Sequence, residues 1–176
     1  MRVLLIALLL WATGLASCSF PDKEPPAGGL RPIDGEETIF VVPFMTVMVP
    51  RQVRETLFDR FVDRLNEIGE EKAVEFLILK RGFEEVADTV RRDHYLITGE
   101  IFSYVEDGGC CSTDIRIKSR LNIYEPGSEV PSLQFDYPKE VFFQHDYSSL
   151  VQQRDLLAKD VADNLAAQLY SAMTAK

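Results

Sequence analysis

Two hydrophobic periods alternate along this chain, and the switches between them mark its elements. The run Thr38-Ile-Phe-Val-Val-Pro-Phe44 is almost wholly β-branched and aromatic, which predicts a buried strand that stops where proline removes the backbone donor. From Arg51 to Ile68 the apolar residues Val53, Leu57, Phe58, Phe61, Val62, Leu65 and Ile68 recur at three and four, with charged residues between them. That spacing predicts an amphipathic helix, with Gly69 as its glycine C-cap. Residues Glu75 to Lys80 read as a second short buried strand, and Phe83 to Val90 as a shorter helical stretch with Glu84 and Glu85 in its first turn. A third strand is expected from His94 to Val105, with Gly99 marking a bulge or bend.

After an Asp107-Gly108-Gly109 turn, Ile115, Ile117, Leu121 and Ile123 alternate with Arg116, Lys118, Arg120 and Asn122, the period of a half-buried strand. Glu125-Pro-Gly-Ser128 is turn chemistry, and Val130 to Phe143 supplies a fifth extended region interrupted by Pro138. Ser149 with Gln152 forms a capping-box signature, after which Leu157, Val161, Leu165 and Leu169 stripe one face of a final helix. The order is β-α-β-α-β-β-β-α. A helix between the first two strands implies a crossover, and the last three strands an antiparallel meander. The expected fold class is α/β (α+β): a two-layer sandwich on a mixed sheet of five strands, with helices on one face. Residues 38–176 are long enough for a single domain of this kind.

The N-terminal segment has a different composition. One positive charge, Arg2, precedes an apolar run from Val3 to Ala12, and Leu15-Ala16-Ser17-Cys18 follows. That apolar run is shorter than the ~20 residues a bilayer span needs, and the small residues before Cys18 suit cleavage of a secretory signal. Residues 1–17 are therefore read as a signal peptide, and the Leu-Ala-Ser-Cys motif resembles a bacterial lipobox. The resemblance implies that Cys18 becomes the first mature residue and carries lipid, palmitate among it, on its sulfur and amine. Residues 18–37 hold Pro21, Pro25, Pro26 and Pro32 with Gly28, Gly29 and Gly35, and are expected to be a flexible tether. Its 20 residues would reach ~60 Å in polyproline II and about 25 Å as a coil.

Loss of residues 1–17 removes one basic residue, leaving 18 Lys and Arg against 28 Asp and Glu, a net charge of −10. A surface of that sign argues against nucleic acid as a partner and against electrostatic attraction to anionic lipid. Membrane attachment is thus expected to rest on the acyl chains. The uncharged Ser19 beside the anchor resembles the outer-membrane sorting pattern, which implies the periplasmic face of the outer membrane, with inner-membrane retention as the alternative.

Three local features carry candidate chemistry. Cys110 and Cys111 are the thiols left once Cys18 is acylated, and in an oxidising compartment they either form a strained vicinal bridge or remain two thiols at a hairpin tip. Arg116, Lys118 and Arg120 place three cations on one strand face; they offer either an interaction face or a solvated one paired with acids such as Asp136 and Glu140. Phe142-Phe-Gln-His-Asp-Tyr147 is expected to close the sheet against the last helix rather than form an interface. The two histidines, His94 and His145, sit in no short metal motif, and no nucleophile elbow, phosphate loop, dinucleotide fingerprint or zincin motif occurs. No catalytic residue, cofactor, metal or small-molecule ligand is expected.

The opening strand ending in Pro43-Phe44, the segment Tyr95-Leu-Ile-Thr-Gly99 at the start of the meander, the polar turn Tyr124-Glu-Pro-Gly127 and the final amphipathic helix resemble a group of bacterial envelope proteins. It includes the N-terminal domain of TolB, the curli secretion lipoprotein CsgG and the penicillin-binding-protein activator LpoB. The resemblance implies a periplasmic α/β domain that binds an envelope partner. Together with the anchor it leads to the expectation of a non-catalytic interaction or accessory module of an envelope assembly. The alternatives are a subunit of an envelope transport or secretion complex and a cell-envelope hydrolase.

Overall fold

A computed structural model describes Leu30, Ile33 and residues 37–174. The segment read as a signal peptide and the expected lipidation site, Cys18, lie outside the described residues. Five strands form one sheet: β1 Thr38–Thr46, β2 Glu75–Ile78, β3 Tyr95–Gly108, β4 Ser112–Tyr124 and β5 Leu133–Gln144. Their spatial order is β2-β1-β3-β4-β5. β1 runs parallel to both neighbours, while β3, β4 and β5 form the antiparallel meander. The long helices are α1 Arg51–Lys72 and α3 Leu150–Thr174; between them stand a 3-10 turn, Phe83–Glu85, and the short α2, Asp88–Asp93. This is the mixed two-layer α/β fold that the hydrophobic periods predict.

The core lies between the sheet and the two long helices. Val53, Leu57, Phe61 and Leu65 of α1 meet Leu157, Val161, Leu165 and Leu169 of α3, and Ala158, Ala162 and Ala166 let α3 approach closely. Arg60 adds a forked bond across the helix pair, donating to both oxygens of Asp163 at 2.8 and 3.2 Å. Along β4 the residues Ile115, Ile117, Leu121 and Ile123 enter this core, and the buried Ser119 donates to the carbonyl of Tyr137 at 3.0 Å, so no hydroxyl is stranded there.

The segment from Leu79 to His94 departs from the predicted helix over 83–90. It divides into the 3-10 turn and α2, because its apolar residues serve a second, smaller cluster. Val86 packs with Val42 and Leu96, joined by Phe40, Leu79, Phe83, Val90 and Tyr124. Strand alternation puts Val42 and Leu96 opposite the core residues Val41 and Ile97, so this segment caps one end of the face that the long helices leave uncovered.

Other local readings are corrected by backbone geometry. β1 does not stop at Pro43 but continues to Thr46 through a bulge between Val42 and Met45, which accommodates the missing donor. Gly69 lies inside α1, and the C-cap is Ala73 in the left-handed region (φ 55°, ψ 40°). Gly69 is instead a close-approach position, where a Cβ would sit 2.7 Å from the Val74 carbonyl oxygen. The bulge of β3 falls between Ile101 and Ser103, not at Gly99, where the Phe44 ring occupies the space of a side chain. Pro138 is tolerated because β5 is an edge strand. Leu30, 7% exposed, belongs to the core, and Ile33 packs against it; a lone apolar side chain in a Pro/Gly-rich stretch still gains by burial where a neighbouring domain offers contact. The tether reading therefore does not extend to these two residues.

Ser149 caps α3, its Oγ accepting from the Gln152 amide at 3.2 Å, whereas Gln152 Oε1 accepts from Ser148 at 3.2 Å. Only the Ser149 half of the capping box is made. Ser149→Ala is expected to lower stability by ~1 kcal/mol, measured by urea unfolding.

Candidate functional site

Beyond the cluster around Val86, no helix among the described residues covers the outer sheet face. β4 sends Asp114, Arg116, Lys118, Arg120 and Asn122 to it. β5 contributes Asp136, Pro138, Glu140 and Phe142 through the register Arg120↔Asp136, Lys118↔Pro138, Arg116↔Glu140 and Asp114↔Phe142. Exposed Phe102 and Val105 of β3 complete this face.

The predicted cation row is here, but its charges are largely answered. Arg120 donates through Nε and Nη2 to both oxygens of Asp136 at 2.7 and 3.0 Å, while its guanidinium lies 5.0 Å from the centroid of Phe102. That forked hydrogen bond holds the Asp136 carboxyl below its usual range and pushes the Arg120 guanidinium up. Arg116 pairs with Asp114 at 3.3 Å rather than with Glu140, its register partner. Lys118 faces Pro138 and makes no ion pair among the described residues. A shallow depression of about 430 Å³ runs along Val105, Lys118, Pro138 and Glu140. The resulting surface is apolar side chains set between paired charges, not a free cationic patch.

The predicted aromatic closure divides. Phe143 is 6% exposed and joins the core, as expected, but Phe142 is 65% exposed on the outer face. Alternation explains the division: adjacent strand residues point to opposite faces, and at this end of β5 only the face toward the long helices is covered, so Phe143 is buried and Phe142 is not. His145 Nε2 shares a 2.9 Å hydrogen bond with Thr113 Oγ1, which ties the segment after β5 to the start of β4. His94 packs edge-on against Phe40 near the start of β3. The histidines thus serve opposite ends of the long hairpin.

Cys110 and Cys111 occupy the exposed β3–β4 tip as free thiols, with sulfurs 3.0 Å apart. Gly109 N–H donates to Ser112 O at 2.8 Å and His145 N–H to Cys111 O at 2.9 Å, fixing the turn. The hydrogen bond with Cys110 pushes the Cys111 thiol up, reducing its thiolate fraction. Cys110→Ala is expected to make Cys111 react several-fold faster with an aromatic disulfide reagent near neutral pH. An unchanged rate would show that the neighbouring sulfur does not control it.

A second concavity, about 520 Å³, opens between α2 and the β4–β5 turn, lined by Phe83, Arg91, Leu96, Tyr124, Ser128 and Glu129 among others. Sequence reading missed it because Arg91 and Tyr124 are far apart along the chain. They meet because Gly127, at φ 76°, donates its N–H to the Arg91 carbonyl at 2.9 Å.

No family model matches this sequence, and no curated protein matches it. Its fold does have solved counterparts. A protein from Helicobacter pylori described as a neuraminyllactose-binding hemagglutinin homolog superposes with a TM-score of 0.52 at 13% identity, over 83% of this chain and 89% of that one. The PelC dodecamer from Paraburkholderia phytofirmans gives a TM-score of 0.52 at 12% identity, over 85% and 95%. Bacterial lipoproteins also occur among the matches, such as lipoprotein GNA1162 from Neisseria meningitidis, with a TM-score of 0.47 at 9% identity over 74% and 99%. The fold is shared. At these identities the likeness extends to nothing else. Among the described residues no helix is long and apolar enough to cross a membrane.

Proposed function

We propose that this protein is a lipid-anchored, non-catalytic interaction module on the periplasmic face of the bacterial outer membrane, and that its open sheet face receives a protein partner of an envelope assembly. The observation that carries this reading is that uncovered face, where Phe102, Val105 and Phe142 stand exposed between charge pairs. Exposed aromatic and aliphatic side chains together with arginines are a composition that protein interfaces favour. The lipobox and the likeness in element order to the TolB N-terminal domain, CsgG and LpoB supply the setting. The hydrolase alternative finds less support: Ser128 in the cleft donates its hydroxyl to Val130 O at 2.6 Å, and no histidine lines that cleft.

The test is photocrosslinking in intact envelopes, with a photoreactive side chain at Val105 or Phe142 and a control at Asp59 on the solvent side of α1. A defined partner adduct is expected from the first two positions and not from the third. Equal labelling from Asp59, or none from the face, would sink the proposal.

A second reading is assembly with copies of itself, favoured by one observation: a protein of the same fold forms a dodecamer. Native mass of the detergent-solubilised lipoprotein discriminates. A stable ring supports self-assembly, and a monomer at micromolar concentration argues against it.

A further inference from the structure

We propose that the cleft between α2 and the β4–β5 turn binds a sugar ring that carries a carboxylate. This goes beyond the protein-partner reading and does not rest on it, since the cleft and the exposed apolar side chains Phe102, Val105 and Phe142 use different residues. Its volume, about 520 Å³, lies in the range of small-molecule sites. Tyr124, with Phe83 packed against it at 5.1 Å between centroids and 32°, gives the cleft an apolar wall beside the buried Leu96. Such a wall suits the C–H face of a sugar.

Two arginines supply the oxyanion contact. The Arg91 guanidinium rests 4.4 Å from the Phe83 centroid and donates one bond, 2.5 Å, to the Phe83 carbonyl. That stacking fixes its plane, while its Nε is buried without a hydrogen-bond partner among the described residues. Arg92 lines the same cleft from an exposed position. Neither arginine forms an ion pair with a carboxylate among the described residues, although the chain carries 28 acidic side chains. A guanidinium group matches a carboxylate in shape and charge, and both arginines line this cleft.

The remaining lining groups fit hydroxyls rather than a second anionic group. Asp88 and Glu129 are acceptors, and they would repel a phosphorylated or multiply charged ligand. Ser128 Oγ, whose hydrogen goes to Val130 O, can still accept from a ligand hydroxyl, and the turn that carries it is tied to α2 by the Gly127–Arg91 backbone bond. One carboxylate, several hydroxyls and an apolar ring face together define an acidic monosaccharide or the acidic residue of a glycan.

The experiment is titration of the full lipoprotein in mild detergent with glucuronic acid and with N-acetylneuraminic acid, followed calorimetrically, with glucose and inorganic phosphate as comparisons. At least one acidic sugar is expected to saturate at ~1 mM or tighter, and glucose and phosphate to bind at least ten-fold more weakly. Arg92→Ala, at an exposed position that should leave folding intact, is expected to weaken binding at least ten-fold without shifting the thermal midpoint. Arg91→Lys keeps the charge but loses the fork and is expected to weaken it similarly. Failure of both acidic sugars to saturate below ~10 mM overturns the proposal. So does equal binding of glucose or phosphate, or unchanged affinity in Arg92→Ala. Attachment of the same sugar within a longer glycan, tested with a uronic-acid oligosaccharide, should strengthen binding if the ligand is a chain end and leave it unchanged if it is the free sugar.

Discussion

Gly99→Ala is expected to destabilise the domain by ~3 kcal/mol or more, a large part of the ~5–15 kcal/mol typical of a small domain. A Cβ at this position would fall 2.0 Å from both Cδ1 and Cε1 of Phe44 and 2.5 Å from its Cγ. The ring cannot swing clear without cost, because it packs against Phe58 at 5.9 Å and Phe61 at 5.2 Å between centroids. The modest gain that alanine brings over glycine in a strand, about 0.5–1 kcal/mol, is too small to offset the overlap. Urea unfolding of the purified protein measures the loss. A Phe44→Leu background should make the Gly99→Ala penalty smaller, since a shorter side chain vacates part of that space; the double-mutant cycle then shows a coupling of at least ~1 kcal/mol. A variant within ~0.5 kcal/mol of the parent would refute close approach as the role of Gly99.

The same residue shows how far sequence reading reached. A glycine within a β-branched run signals something unusual, and bulge or close approach are the two standard reasons. Only the fold distinguishes them, because the Phe44 ring comes from a neighbouring parallel strand. Long periodic elements were legible: α1, β4 and α3 each repeat their apolar spacing over several turns or pleats, so a boundary error leaves the pattern intact. Short segments were not. Phe83, Val86 and Val90 fit a helical spacing equally well whether they belong to one helix or to a 3-10 turn followed by α2, and tertiary contact with Val42 and Leu96 decides between them. Pro43 was misleading for a related reason, since a bulge lets the strand pass it.

The candidate site was half legible on the same grounds. Period two places Arg116, Lys118 and Arg120 on one face, and Asp136 proves to be a partner as the sequence suggested. The choice of Asp114 over Glu140 by Arg116 depends on side-chain reach within one strand, which spacing does not rank. The α2 cleft was invisible, since no local pattern relates Arg91 to Tyr124. These contrasts share one cause: periodicity reports which face a residue takes, whereas partners and clefts depend on which distant elements meet there.

Arg154→Ala is the second substitution with a large expected effect, about 2 kcal/mol, and its pH dependence identifies the source. Arg154 of α3 donates two bonds of 2.6 Å to the Glu106 carboxylate of β3, which also accepts from the Tyr104 hydroxyl. Both charged side chains are 22% exposed, so the ~3–5 kcal/mol cost of breaking a fully buried pair is reduced here by solvent. The hydrogen bonds from Arg154 outweigh burial and hold the Glu106 carboxyl below its usual range. A carboxyl depressed in the native state contributes stability above its unfolded pKa, about 4.3, and loses it as pH falls through the native value. The stability difference between parent and Arg154→Ala should therefore be full at pH 7 and shrink steadily below about pH 4.3. At the alkaline end the sign reverses for Tyr104, whose hydroxyl is pushed up first by burial and then by its bond to Glu106. Its contribution is complete below the ordinary phenol value near 10 and is lost as pH rises through the native one. Urea melts across this pH range read both limbs, and a parent–variant gap that stays constant from neutral to acid pH would show that the cost of Arg154→Ala comes from lost packing of the arginine stem and not from the Glu106 carboxylate.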